Sequence, residues 1–149
     1  MKPNKPLLLC TIIGTLLIIK AAIYRFVMIQ NIRKVLDVIF YMELSGKEPV
    51  REWLFELDKQ DRRKIGRDIL SVQYQWPIGM PLVKPISKGL WEIRTSLDNR
   101  IARIFFMIHG KEMVLLHGII KKTQKTPPSE IALAKKRASS FLTKEKGKR

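Results

Sequence analysis

Leu90-Trp91-Glu92-Ile93-Arg94-Thr95-Ser96-Leu97-Asp98-Asn99-Arg100-Ile101-Ala102-Arg103-Ile104-Phe105-Phe106 reads as two strands joined by a tight turn, and it decides the fold. Both flanks are rich in β-branched and aromatic residues, and Asp98-Asn99 between them tolerates left-handed turn conformations. With that turn, Arg94 lies opposite Arg103, Glu92 opposite Phe105 and Ser96 opposite Ile101. Side chains alternate between faces, so Trp91, Ile93, Thr95, Ala102, Ile104, Phe106 and Ile108 share the other face. That face is nearly all apolar and is assigned to the core.

Like charges directly opposite each other cost a sheet stability. Two readings account for Arg94 and Arg103. Either an anion, a phosphate or a carboxylate, sits between them, or Glu92, two residues along the same face, partly neutralises a solvated pair. The residues leave the two readings level.

A third strand follows. Gly110-Lys111 suits a two-residue turn with Gly in first place. It pairs Arg103 with Gly118 and puts Val114, Leu116, Gly118, Ile120 and Lys122 on the arginine face. Gly118 would then leave open floor beside Arg103, a hollow walled by Arg94, Arg103 and Lys122. A one-residue slip would exchange Lys122 for Lys121. In this register His117 points into the core face as a buried, hydrogen-bonded histidine, and His109 sits by the turn at the surface.

Upstream, Val35–Met42 reads as a buried strand and Ser45-Gly46-Lys47 as a turn. Pro49 takes the first-turn position of a helix with Val50, Trp53, Leu54 and Leu57 on one stripe. Asp58 caps a second helix, in which Ile65, Ile69, Val72 and Trp76 face the core and Arg62, Arg63, Lys64 and Arg67 form a solvated face. Residues 77–89 hold three prolines and two glycines and read as an ordered loop or short edge strand. Lys84 and Lys88 there extend the basic surface towards the hairpin. Downstream, Pro127-Pro128 break the chain and Ser129 caps a last helix, Glu130–Leu142. The basic tail, residues 143–149, is expected to be disordered.

With 149 residues and 46% apolar content, one domain with a real core is expected. The 29 Lys and Arg against 13 Asp and Glu give a net charge of +16, which favours a polyanionic partner and says nothing about fold. The single cysteine, Cys10, excludes an internal disulfide and a cysteine-rich zinc site.

Residues 1–30 form an apolar extension. The run Leu7–Ile19 falls short of the ~18 residues of a spanning helix. It has the charge pattern of a secretory signal, reaches spanning length only by taking in Lys20 and Arg25, or precedes a true start at Met28. An appended or artefactual segment is favoured. Residues 1–27 carry four of the positive charges (Lys2, Lys5, Lys20 and Arg25) and no negative one, so +12 remains without them.

The order strand, helix, helix, three-stranded meander, helix makes an α+β domain. Leu90-Trp91-Glu92-Ile93-Arg94, Arg103-Ile104-Phe105-Phe106 and above all Leu115-Leu116-His117-Gly118-Ile119-Ile120-Lys121-Lys122-Thr123-Gln124-Lys125-Thr126-Pro127 resemble the phage-derived HigB-like branch of the RelE/ParE toxins. Gly46–Leu57 and Ile131–Ala138 are similar to that family too. The resemblance covers residues 32–142 and nothing of 1–30, so a toxin domain is drawn at 31–142.

The resemblance implies a small RelE/ParE-like fold: an antiparallel sheet, two N-terminal helices and a C-terminal helix. It implies the cytoplasmic toxin of a type II toxin–antitoxin pair, an endoribonuclease that cuts messenger RNA on the ribosome. Its partner would be a helix-turn-helix, HigA-like antitoxin. The nucleophile would be the RNA 2′-hydroxyl, with cations stabilising charge at the scissile phosphate and no metal or cofactor. By motif position Arg103 matches the central-strand arginine, Lys122 the basic residue after the last strand, and Arg94 a basic position on the preceding strand. Lys84, Lys88, Lys121 and Lys125 are expected to bind RNA phosphate.

The chain departs from RelE at two points. Glu92 stands where RelE has a second lysine, and Pro127, Pro128 and Ser129 occupy the region of its last-helix tyrosine. That leaves Glu92 and His117 as acid–base candidates. The alternatives are a ParE-like toxin that binds a protein such as gyrase, and an inactive, membrane-anchored prophage relic that uses residues 1–30.

Overall fold

A computed structural model describes residues 18–23, 33–121 and 125–147. The chain divides into two units, Met1–Arg33 and Lys34–Arg149. In the first, residues 18–23 are helical, with Ile18, Ile19 and Ile23 exposed. The remainder of the expected 1–30 extension, and the alternative start at Met28, lie outside the described residues. No helix among the described residues is long and apolar enough to cross a membrane.

The second unit is α+β. Its elements run β1 (Asp37–Phe40), α1 (Pro49–Glu56), α2 (Lys59–Gln75), β2 (Val83–Ser87), β3 (Leu90–Ser96), β4 (Ile101–His109), β5 (Glu112–Lys121) and α3 (Pro128–Gly147). The five strands make one sheet in the order β1-β5-β4-β3-β2. All pairs are antiparallel except β1 with β5, which is parallel. A parallel pair needs a long crossover, and here it is the whole chain from α1 to β4.

Local chemistry explains the helices. Pro49 opens α1 where a missing N–H costs nothing. Asp58 Oδ1 accepts from the backbone N–H groups of Gln60 and Asp61, both at 2.9 Å, and so caps α2. The stripe Val50, Ile65, Ile69 and Val72 is buried, with Trp53, Leu54, Leu57 and Trp76 packed against it. Together with Ile93, Ala102, Ile104 and Phe106 these form the core between the sheet and α1 and α2. Full burial stabilises each large aliphatic or aromatic residue by about 1.5–3 kcal/mol.

The opposite face is also covered. Phe105, Met107, Val114 and Leu116 pack there with Ala134, Ile131, Ala138 and Phe141 of α3. The expected face assignment of the β3–β4 hairpin holds, but the arginine face is a second apolar layer along much of its length.

Three expectations are corrected. The third strand turns at Gly110, whose φ of +60° needs glycine, and starts in the expected register, with Phe106 opposite Leu115. A bulge between Phe105 and Phe106 then moves the pairing by one residue, so Arg103 faces Ile119 and Phe105 faces His117. Gly118 is thereby turned to the α1 side, where a Cβ would overlap the Trp53 ring. It lies under Trp53 and not open beside Arg103, and His117 lies on the arginine face and not in the first core.

The last helix is also longer than expected, since residues 143–147 continue α3. Lys144 Nζ donates to the carbonyl of Met42 at 2.8 Å, and the basic last turn suits the negative end of the helix dipole.

Candidate anion-binding site

Strands β3 and β4 place Arg94 directly opposite Arg103, with Glu92 two residues along on the same face. Arg103 and Glu92 are almost wholly buried, at 1% and 0% exposure. Arg103 Nη1 donates to Glu92 Oε1 at 2.7 Å, and Arg94 Nε lies 3.4 Å from the same oxygen. Thr126, from the connection between β5 and α3, closes the cluster. Its hydroxyl accepts from Arg103 Nη1 at 2.9 Å and donates to Glu92 Oε2 at 3.1 Å.

The anion between the two arginines is therefore Glu92. A buried carboxylate with two guanidinium groups and a hydroxyl has its lone pairs well used, which offsets the large cost of taking charges out of water. Of the two arginines, Arg94 is the one that reaches the surface, with its side chain 19% exposed. It opens onto a cleft of about 720 Å³ beside Lys64 and Arg67 of α2.

A family model described as phage-derived protein Gp49-like (DUF891) matches residues 52–139, more than half of the chain. The chain belongs to the Gp49-like family. A search of curated proteins gave no match. The matched span runs from α1 into α3 and contains Glu92, Arg94, Arg103 and Thr126, which meet in the cluster, and His117 on the same face of the sheet.

His117 of this Gp49-like chain stacks on Phe105, with ring centroids 6.1 Å apart and planes 12° from parallel. Its Nε2 lies 2.5 Å from Glu130 Oε2, and its Nδ1 lies 3.2 Å from Arg137 Nη1. A guanidinium can only donate, so Nδ1 is the acceptor in this arrangement and the proton on Nε2 points to Glu130. Arg137 also donates to the carbonyl of Leu116 at 3.0 Å and to Glu43 at 3.3 Å. Both the arginine cluster and the histidine are thus held by the segment from Thr126 into α3.

The other basic residues expected at the site separate into groups. Lys84 is exposed and opposite Glu92 on β2, beside the cluster. Lys121 is opposite Ile101, which puts it on the Arg103 face and realises the one-residue slip. Lys125 is exposed next to Thr126. Lys88 sits in the turn before Leu90, at least about 13 Å along the strand from Arg94, so it is not part of the cluster. Lys122 lies outside the described residues.

Thr126, Glu130 and Arg137 are site-forming residues that reading by strand register misses. They come from a connection and a helix, which share no register with the sheet. Thr126 lies within the Lys121–Pro127 run that carries the family resemblance, and that was its one signal. Among the described residues, no three His, Cys, Asp or Glu side chains form a group that could hold a metal.

Proposed function

We propose that this Gp49-like protein is the toxin of a type II toxin–antitoxin pair, of the HigB-like branch of the RelE/ParE superfamily, and that it cuts messenger RNA on the ribosome. The observation that carries the reading is the arginine pair fixed by Glu92, with Arg94 at the surface. In this reading the RNA 2′-hydroxyl loses its proton to water and attacks the adjacent phosphorus as the bond to the 5′-oxygen breaks, leaving a 2′,3′-cyclic phosphate. Arg94 stabilises the charge that builds on the phosphate oxygens. Arg103 and Glu92 hold Arg94 in place so that little reorganisation is needed in the transition state. Lys84, Lys121 and Lys125 add cations around the strand, and Lys122 is assigned there by motif position alone.

Both oxygens of Glu92 are engaged by Arg103, Arg94 and Thr126, a positioning role rather than that of a general base. His117 is the acid–base candidate. To reach RNA its Nε2 proton would have to exchange Glu130 for the leaving 5′-oxygen.

One observation favours a second reading. Because Glu92 already fills the space between the arginines, the like-charge pair requires no external phosphate, as expected of a ParE-like toxin that poisons a protein target. Induced expression of the full chain, followed by mapping of messenger 5′ ends, separates the two. Growth arrest with new internal ends supports the nuclease. Arrest with unchanged messengers supports the protein-binding toxin.

A further inference from the structure

The cleft beside Arg94 has a built architecture that the cluster itself does not need. Lys64, Arg67 and Asp68 of α2 line it together with Leu82, Arg94 and Ile101. Two ion pairs fix α2 to the β3–β4 turn: Lys64 Nζ to Asp98 Oδ1 at 2.8 Å, and Arg100 Nη2 to Asp61 Oδ2 at 2.6 Å. Lys64 and Arg67 also line a neighbouring groove with Lys59, Gln60 and Arg63, so the two hollows adjoin along α2.

Lys59, Arg63 and Arg67 follow one another at four-residue spacing on an exposed helix face. Like charges at this spacing repel and destabilise a helix. Arg63 and Arg67 make no ion pair among the described residues. The row spans about 12 Å at helical rise, and Arg67 at its end lines the same cleft as Arg94, the partly exposed member of the cluster. A row of cations leading to a cleft supplies the positively charged groove that the backbone of a single-stranded nucleic acid follows.

We propose that the α2 face Lys59–Arg63–Arg67 and the cleft at Arg94 form a track for the phosphate backbone of single-stranded RNA. The inference rests on the proposed function for the identity of its ligand and deepens it by naming the path of the strand. The α2 basic face is then a binding surface and not only a solvated one.

The test is the affinity of the full chain for a short single-stranded RNA, measured by fluorescence anisotropy across a salt series. For single strands each phosphate contact contributes about 0.7 to the slope of log affinity against log salt. Arg67→Ala should make the slope shallower by about that amount, while Lys135→Ala, an equal charge loss on exposed α3, should leave it unchanged. Equal shifts in both variants, or no shift in Arg67→Ala, overturn the track. A polyglutamate peptide of matched length and charge that binds more tightly than the RNA, with its own affinity lowered by Arg67→Ala, overturns it in favour of an acidic protein partner. Binding is read without messenger cleavage, so loss of the nuclease reading and loss of the track are separate results.

Discussion

The Glu92 carboxylate lies 2.7 Å from the Arg103 guanidinium, with the two side chains 0% and 2% exposed. Removing one partner of such a pair leaves an uncompensated charge in the interior, which costs about 3–5 kcal/mol. Glu92→Ala is expected to lose that much in urea unfolding, and the double substitution Glu92→Leu, Arg103→Met to recover most of it. A Glu92→Ala loss below about 1 kcal/mol would show that the pair is solvated.

Thr126 ties the chain after β5 to the same cluster through two hydrogen bonds. Thr126→Val keeps the shape and removes the hydroxyl, leaving Arg103 and Glu92 each short of a partner. A loss of about 1–3 kcal/mol is expected. Amide exchange in the first turn of α3 should accelerate more than in α2, and equal acceleration in both helices would argue against a local tie.

Gly118 and Trp53 meet on the α1 side of β5, where the ring occupies the space a Cβ would need. Gly118→Ala is expected to cost about 1–3 kcal/mol by overpacking, and Trp53→Leu in that background should return part of it. Additive losses in the double variant would mean that the ring and the glycine do not meet.

These cases show how far sequence carries. The β3–β4 register was legible, because apolar alternation and Asp98-Asn99 point the same way, and so was the cap of α2 at Asp58. The bulge was not, because Val114–Ile120 is apolar on both faces of β5 and no alternation marks where the pairing shifts. His117 moved to the other face for the same reason. The arginine pair was legible as a conflict, but its resolution by Glu92 and Thr126 needed a three-dimensional meeting of β3, β4 and the connection to α3. Residues 143–147 read as a charged tail because the Lys144 contact to Met42 is made 102 residues away in sequence.

Acid should weaken the fold through two surface carboxylates. The backbone N–H of Asp61, with that of Gln60, holds the Asp58 carboxyl below its usual range, and the hydrogen bond from Lys64 does the same for Asp98. A carboxyl lowered in the folded state contributes stability above its unfolded pKa of about 3.9, and loses it as pH falls through the folded value. The melting temperature should therefore fall as pH drops below about 4. In Asp58→Asn, which keeps a capping oxygen without the titration, that fall should be smaller. An identical acid limb in wild type and variant would remove Asp58 from the account.

The most direct test of the central claim maps messenger 5′ ends in cells induced for the full chain or for Arg94→Ala, with soluble protein matched. Arg94 is the member of the buried cluster that reaches the surface, so its loss should spare the fold. If it stabilises the phosphate, new internal ends should appear with wild type and fall about 10²-fold or more with Arg94→Ala. Undiminished ends in the variant would contradict the phosphate site at Arg94, and arrest without new ends in wild type would contradict the nuclease itself.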